Sequence, residues 1–131
     1  MIVDSSALVA ILCREPERER FVRSMAAAPR RRVSAASFLE TGIVLHRMLA
    51  EPARTLLEAF LETAEIEVVP MTASQADLAF AAYRRFGKGM GHPAQLNILD
   101  CCAYALASES EEELLFKGDD FGKTDILVAG F

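Results

Sequence analysis

Short apolar runs alternate with longer helical stretches along this chain, and this alternation limits the folds that it can adopt. Proline and capping residues mark helix starts between the runs: Pro16 and Pro52 occupy favoured first-turn positions, and Thr72 with Gln75 three residues later resembles a capping box. Strands separated by helices are typical of βαβ units, which build a parallel sheet covered by helices. The pattern therefore predicts an α/β fold with a central parallel sheet of four or five strands flanked by helices. The runs predicted as strands are residues 1–3, 33–35, 66–69 and 114–116.

The chain is long enough for one domain and too short for two ordinary ones. It has 131 residues, of which 52% are hydrophobic, so a single core can be filled. The three cysteines, Cys13, Cys101 and Cys102, are an odd number without a CxxC pair, which predicts free thiols in a reducing, cytoplasmic setting. No apolar run approaches the roughly 20 residues of a membrane span. The N-terminus enters a strand at once and lacks the basic region of a signal peptide, so we expect no membrane partner.

Acidic residues stand where the predicted strands end or the predicted helices begin. Asp4 directly follows the first apolar run, and Glu40 lies near the first turn of the helix after the second run. Asp100 lies at the start of a later helix, and the pair Asp119 and Asp120 follows the last run. In parallel α/β folds, ligands bind at the carboxyl ends of the strands. We therefore expect Asp4, Glu40, Asp100 and Asp119 to converge on one pocket.

Each of these acids also has a structural interpretation. Asp4 would make a good helix N-cap, and a glutamate such as Glu40 in a first turn favours the helix macrodipole. Asp119 and Asp120 are common turn residues. Asp100 is harder to explain in this way, because its neighbours are apolar and a buried carboxylate is costly unless it is paired or bound to a metal.

Several carboxylates in one pocket would repel each other, and their pKa values would rise. A hard divalent cation removes that penalty, and Mg²⁺ or Mn²⁺ prefers oxygen ligands and keeps several waters. Such waters can supply the nucleophile for phosphodiester hydrolysis. The acids together therefore predict a metal-dependent phosphodiesterase.

Basic residues are clustered although the net charge is −5, from 14 basic and 19 acidic residues. A nucleic-acid-binding protein is more often basic overall, so a nucleic acid would have to meet a local basic patch. The glycine-rich loop at residues 87–93 contains Lys88 and His92 and is preceded by Arg84 and Arg85. We predict that these four residues contact the phosphate backbone of a nucleic acid. The other basic and aromatic residues are interpreted structurally, with solvated arginines at residues 30–32 and core positions for His46, Tyr83 and Phe86.

Four segments together show a family resemblance. Residues 1–11 contain the opening strand, the first acid and two serines, and residues 34–40 carry the second acid. Residues 83–101 hold the basic loop and the third acid, and residues 114–126 contain a Lys-Gly-Asp-Asp-Phe turn. In this combination the chain resembles the PIN-domain ribonucleases, specifically the VapC toxins of type II toxin–antitoxin systems. The resemblance covers almost the whole chain and implies a single PIN domain at residues 1–131.

The resemblance implies Mg²⁺- or Mn²⁺-dependent RNA cleavage that restrains growth, a cognate VapB-type antitoxin and a homodimer. By position, Asp4 and Asp100 correspond to the main metal ligands and Glu40 to the third acid. Asp119 and Asp120 both fall near the position of the fourth acid, and Asp119 is the preferred choice. An arginine of the antitoxin would suit the acidic pocket, because it pairs with carboxylates bidentately.

Three other functions compete with this interpretation. A receiver-like phosphoacceptor domain also has an acidic magnesium pocket, but it needs paired acids after the first strand, where only Asp4 stands. A haloacid-dehalogenase phosphatase needs a second aspartate two residues after the first, where this chain has Ser6. A catalytically silent PIN module that only binds a partner is disfavoured by the intact acids, but the sequence leaves it open.

Overall fold

The structure is a computed structural model that describes residues 1–130. Within these residues the chain forms four β-strands, six α-helices and one short 3-10 helix. In chain order they are β1 (Ile2–Val3), α1 (Ser5–Leu12), α2 (Arg18–Ala27), β2 (Arg31–Ser34), α3 (Ala35–Leu49), α4 (Pro52–Thr63), β3 (Ile66–Val69), α5 (Ala73–Phe86), α6 (Ile98–Ser110), β4 (Leu114–Leu115) and the 3-10 helix (Phe121–Lys123).

The four strands form one parallel sheet in the order β3-β2-β1-β4. Ile2 of β1 lies opposite Arg32 of β2 on one side and Leu114 of β4 on the other. Beyond β4, the C-terminal segment adds one more parallel bridge, between Leu114 and Val128. The predicted α/β fold with a parallel sheet flanked by helices is therefore confirmed, and β1, which leads into Asp4, lies in the middle of it.

Apolar side chains fill both faces of the sheet, because successive residues of a strand point to opposite faces. Ile2 and Leu114 pack on one face against α5 and α6. Val3 and Leu115 pack on the other face against α1, α2, α3 and α4. All four side chains are fully buried, which explains why these strands are continuous apolar runs rather than alternating ones.

Two local expectations about polar side chains are wrong. His46 is exposed rather than in the core, because the apolar stripe of α3 that contains it faces outward. Arg31 and Arg32 are not solvated, because β2 begins at Arg31. The guanidinium of Arg31 reaches the carbonyl oxygens of Met25, Ala28 and Ala64 at 2.7 to 2.9 Å, and Arg32 is mostly buried and pairs with Glu112. The core position expected for Phe86 is confirmed, whereas Tyr83 is half-buried and packs against the edge of the same cluster.

The cysteines and the helices can also be compared with the sequence. Cys13, Cys101 and Cys102 are all free thiols, as predicted from their odd number. Throughout residues 1–130, no helix combines the length and the apolar character that crossing a membrane requires.

Candidate active site

Asp4 lies at the carboxyl end of β1 and begins α1. Its backbone N–H donates to Leu115 O at 2.9 Å, which carries the β1–β4 pairing one residue past the strand. The side chain caps α1, because Oδ2 accepts hydrogen bonds from the backbone N of Ser6 at 2.9 Å and from its Oγ at 2.6 Å. The residue is only 2% exposed, and the second carboxylate oxygen, Oδ1, is buried without a hydrogen-bond partner. One oxygen therefore caps the helix, while the other has no hydrogen-bond partner among residues 1–130.

Burial raises the pKa of Asp4 above its usual value. The hydrogen bonds from Ser6 oppose this rise, and the negative charge of Glu40 adds to it. A buried carboxylate oxygen without a partner is costly in a folded protein, because it has lost its water and gained no donor. A cation at Oδ1 would remove this cost.

Asp100 occupies the third position of α6 and is partly buried. It forms a reciprocal capping box with Asn97: Asp100 Oδ2 accepts from Asn97 N at 2.9 Å, and Asn97 Oδ1 accepts from Asp100 N at 2.8 Å. The pKa of Asp100 is raised to about 6. Burial is the largest cause, the hydrogen bond from Asn97 N opposes it, and the charges of Asp4, Glu40 and Asp120 add to it. Asp4, Glu40 and Asp120, from separate parts of the sequence, therefore lie near enough to Asp100 for their charges to act on it.

Glu40 lies in α3 and faces the same region. Ser5 Oγ donates a hydrogen bond to Glu40 Oε2 at 2.8 Å. The charge of Glu40 also contributes, after burial, to the raised pKa of Cys102 in α6. Because α3 begins at Ala35, Glu40 is in the second turn, where the macrodipole effect has largely faded. Its position is therefore better explained by the pocket than by helix stability.

The acidic turn that follows β4 places its two aspartates differently. Both Asp119 and Asp120 are exposed, but Asp120 is the one whose charge raises the pKa of Asp100. Asp120 stands immediately before the 3-10 helix and its carbonyl accepts from Lys123 N at 3.2 Å. The prediction preferred Asp119. The charge of Asp120, rather than that of Asp119, acts on Asp100, which favours Asp120 as the acid nearer to the pocket.

The donor set fits a hard divalent cation held by few protein ligands. Within residues 1–130, no three His, Cys, Asp or Glu side chains lie close enough together to form a metal site by themselves. Asp4 and Asp100 each use Oδ2 for a helix cap, and Oδ1 of Asp4 is the buried atom without a partner. Mg²⁺ is usually bound by one or two carboxylates and keeps several waters, so two carboxylates are a sufficient protein contribution.

The predicted phosphate-contacting residues divide into two kinds. Arg84 and Lys88 are exposed and have no ion-pair partner within residues 1–130. Arg85 instead pairs with Asp125 at 3.2 Å and lies 4.4 Å from the centre of the Phe86 ring. His92 packs edge-on against the same ring, and its Nδ1 accepts a hydrogen bond from the backbone of the loop at 3.1 Å. Arg85 and His92 therefore have structural contacts that Arg84 and Lys88 lack.

Three polar residues of the site were not assigned to it from the sequence. Ser5 and Ser6 were given no role at the site, although the Ser5 hydroxyl donates to Glu40 and the Ser6 hydroxyl donates to Asp4. Asn97 was not considered, although Asn followed three residues later by Asp is a recognisable capping pattern. All three lie within three residues of an acid at a helix start, and this position was the signal in the sequence that could have assigned them to the site.

Comparison with known proteins identifies a family for the whole chain. The profile of the PIN domain family matches residues 1–127. Ribonuclease VapC28 of Mycobacterium tuberculosis is 49% identical over 129 residues, covering 98% of this chain and 97% of the relative. Ribonuclease VapC of Mycolicibacterium smegmatis is 48% identical over 128 residues, covering 98% of both proteins.

Solved structures with lower sequence identity share the fold. The crystal structure of VapC20 of Mycobacterium tuberculosis, described as a sarcin–ricin loop cleaving toxin, superposes with a TM-score of 0.78 at 18% identity, covering 96% of this chain and 95% of that one. A toxin–antitoxin complex from Klebsiella pneumoniae superposes with a TM-score of 0.73 at 18% identity, covering 97% and 94%. These neighbours confirm the fold, which excludes the receiver-like alternative.

Proposed function

Because the chain belongs to the PIN-domain family, and within it to the VapC ribonucleases, we propose that it is a toxic Mg²⁺-dependent endoribonuclease of a toxin–antitoxin system. The observation that carries this proposal is the buried, partnerless Oδ1 of Asp4 beside an Asp100 whose pKa is raised to about 6. Two carboxylates that cannot both be charged at low cost need a cation between them. Mn²⁺ can replace Mg²⁺, since both prefer oxygen ligands.

Asp4 and Asp100 would hold the metal ion, which when bound supplies an activated water and neutralises charge on the phosphate. The hydrogen bonds from Ser6 and Asn97 fix the rotamers of these two aspartates. Glu40, held by Ser5, is placed to orient a water or to accept its proton. The fourth acid is Asp119 by family position or Asp120 by its effect on Asp100, and substitution of each one separately decides between them.

The RNA substrate would approach through the loop between α5 and α6. Arg84 and Lys88 are exposed cations without a competing ion pair, so they are suited to contact phosphates. Arg85 would contribute less because Asp125 neutralises part of its charge. His92 would have only Nε2 available, because Nδ1 already accepts a hydrogen bond.

The test of catalysis is substitution of the metal-binding acids. Asp4→Asn and Asp100→Asn proteins should lose cleavage of total RNA while keeping the circular dichroism spectrum and a cooperative unfolding transition. Asp77→Asn, an exposed acid on α5, is the matched control and should cleave RNA at the wild-type rate. Full activity of the Asp100→Asn protein, purified free of contaminating nuclease, would exclude the mechanism. An inactive wild type that still binds an antitoxin would favour a silent partner-binding module.

The toxin role is tested in growing cells. Induced expression of the wild-type chain should arrest growth, whereas the Asp4→Asn protein at equal soluble expression should not. Normal growth at high soluble expression of the wild type would count against a toxin role.

The antitoxin would lie in an apolar groove between α3 and α4. This groove of ≈ 490 Å³ has Leu39 and Ile43 on its surface, which are 59% and 44% exposed, and His46, Arg47 and Arg54 among its lining residues. Leu39 of the groove directly precedes Glu40 in α3, and we propose that an arginine following the bound segment pairs with the acids of the pocket. The arginines Arg47 and Arg54 that line the groove favour a partner that also carries acidic residues.

The groove is tested with the cognate VapB-type antitoxin that the proposal requires. Ile43→Glu should abolish co-purification with this antitoxin and the growth rescue that it gives, while RNA cleavage persists. Val22→Glu on α2 is the control, since Val22 is similarly exposed at 39% and lies outside the groove. Equal binding by both variants would place the antitoxin elsewhere.

The homodimer would use a second apolar surface. Phe80 of α5 and Ile98 of α6 are 65% and 73% exposed and lie on one groove together with Met71. Burying such side chains contributes about 1.5–3 kcal/mol each, which favours association with another apolar surface. Light scattering should report a dimer for the wild type and a monomer for Phe80→Ser, with Val22→Ser remaining dimeric. A monomeric wild type at micromolar concentration would refute this part of the proposal.

A further inference from the structure

The hydroxyl of Ser6 connects two separate parts of the active site. Its Oγ donates to Asp4 Oδ2 at 2.6 Å and accepts from the backbone N of Lys117 at 2.9 Å. Lys117 lies just after β4, in the segment that leads to Asp119 and Asp120. One side chain therefore touches both the acid at the end of β1 and the turn at the end of the neighbouring strand.

The two contacts fix the direction of the hydroxyl proton. A serine hydroxyl has one proton and two lone pairs, so a donor at Lys117 N occupies a lone pair and leaves the proton for Asp4. The backbone N of Ser6 donates to the same carboxylate oxygen at 2.9 Å. Asp4 Oδ2 thus receives two hydrogen bonds, while Oδ1 receives none and is buried. The carboxylate is held in one orientation with its unused oxygen directed away from the cap.

We propose that Ser6 is a positioning residue that aims Asp4 Oδ1 at the metal ion and couples Asp4 to the turn carrying Asp119 and Asp120. The inference deepens the proposed function and depends on it. Ser5 has a different contact, since its Oγ donates to Glu40 and none of its hydrogen bonds reaches the turn. The adjacent serines therefore hold different acids, and only Ser6 links two elements.

The physical consequence is that Asp4 and the turn carrying Asp119 and Asp120 move together. Without the hydroxyl, Asp4 would keep a single hydrogen bond at Oδ2 and could rotate about its Cα–Cβ bond, and Lys117 N would lose its side-chain acceptor. Partners that orient metal ligands from the second layer typically affect metal affinity by about 10- to 100-fold when removed. The helix itself should persist, because alanine is a better helix former than serine.

The experiment compares the intact wild-type protein with Ser6→Ala, Ser6→Thr, Ser5→Ala and Ser74→Ala. Three measurements are made: Mn²⁺ affinity by calorimetry without RNA, exchange of the Lys117 amide hydrogen in the metal-free protein, and steady-state kinetics (kcat and KM) for a short fluorogenic RNA. Ser74 is exposed on α5, and Ser74→Ala should behave as wild type in all three.

For Ser6→Ala we expect Mn²⁺ affinity to fall about tenfold or more and kcat to fall with KM for RNA nearly unchanged. The Lys117 amide should exchange roughly fivefold faster, as expected for the loss of one hydrogen bond. Ser6→Thr keeps a hydroxyl and should give wild-type results in all three measurements. Ser5→Ala should leave Lys117 exchange unchanged.

If Ser6→Ala bound Mn²⁺ as tightly as the wild type, the inference would be overturned. This would hold even if Lys117 exchange increased, because the hydroxyl would then only connect α1 to the turn without positioning Asp4. Unchanged exchange at Lys117 would overturn the coupling. If the wild type cleaves RNA and binds Mn²⁺ but Ser6→Ala does both equally well, only this inference fails. If the wild type neither binds Mn²⁺ nor cleaves RNA, the proposed function fails and this inference fails with it.

Discussion

Asp100 should make the metal-free protein less stable as the pH rises, and Asp100→Asn should remove that effect. Burial and the neighbouring acids raise the pKa of this carboxyl from 3.8 to about 6 in the folded state. A raised carboxyl pKa means that the folded state prefers the protonated form. The resulting penalty is absent below about pH 4, grows between pH 4 and 6, and is constant above pH 6.

The magnitude follows from the size of the shift. A change of about 2 pKa units corresponds to about 3 kcal/mol at 1.36 kcal/mol per unit. Asp100 is only partly buried, so solvent screening reduces this to about 1–2 kcal/mol. Asparagine has no charge, and its side-chain oxygen can still accept the capping hydrogen bond from Asn97 N. At pH 7, Asp100→Asn should therefore be more stable than the wild type by about 1–2 kcal/mol.

Urea denaturation in the presence of EDTA, at pH 4 and at pH 7, measures this difference as a free energy of unfolding. The two proteins should be nearly equal at pH 4 and diverge at pH 7. Added Mg²⁺ should stabilise the wild type at pH 7 and leave Asp100→Asn almost unchanged, because only a ligand that binds the folded state shifts unfolding. Asp77→Asn is the control and should shift stability by less than about 0.5 kcal/mol at either pH. A variant that is less stable than the wild type at pH 7 without metal would refute the reasoning.

Four further outcomes follow from contacts outside the acid pocket. Glu112→Gln should lower the free energy of unfolding by about 2 kcal/mol in urea denaturation at pH 7, because it removes the partner of both the N-terminal ammonium and Arg32. Burial raises the pKa of Glu112, but these two cations lower it overall. The cost of the substitution should therefore shrink as the pH falls through the range where this carboxyl protonates. Spectrophotometric titration should show Tyr104 ionising only near pH 12, because burial and its 2.6 Å hydrogen bond to Asp125 raise its pKa to about 12, and Tyr104→Phe should remove that transition. Gly87→Ala should lower the melting temperature, since a Cβ atom there would lie 2.4 Å from Tyr83 O. Lys88→Ala should weaken binding of single-stranded RNA to a non-cleaving variant and reduce the salt slope of log K by about 0.7, and an unchanged slope would exclude a phosphate contact.

The fold class could be predicted from the sequence because the strands are buried on both faces of the sheet. Ile2 and Val3 face opposite sides of the sheet and both are apolar, so β1 appears in the sequence as a short continuous apolar run. The strand order β3-β2-β1-β4 was not predicted, because periodicity describes each element separately and does not say which strands are neighbours. His46 was misplaced for a related reason: an apolar stripe shows that a helix has an apolar face, but not whether this chain or a partner covers it.

The acids were easier to identify than the groups that orient them. Asp4 and Asp100 stand out in a sequence because a carboxylate beside apolar residues is unusual. The choice between Asp119 and Asp120 depends on the direction of two successive side chains in a turn, and a turn has no periodicity from which to infer it. Ser6 was given no role at the site, because serine is common at helix starts and its contact with Lys117 joins residues that are 111 positions apart.

Asp4 shows that the structural and catalytic interpretations of an acid are compatible. A carboxylate has two oxygens, and in Asp4 the helix cap uses Oδ2 while Oδ1 remains without a partner. Asp100 has the same arrangement, since its capping box with Asn97 also uses only Oδ2. A helix start gives such a carboxylate both a fixed rotamer and the positive end of the macrodipole, which lowers the cost of holding a negative charge there. Two acids capping separate helices can therefore remain charged and oriented around a shared cation, whereas acids on flexible loops would have to be ordered by the cation itself.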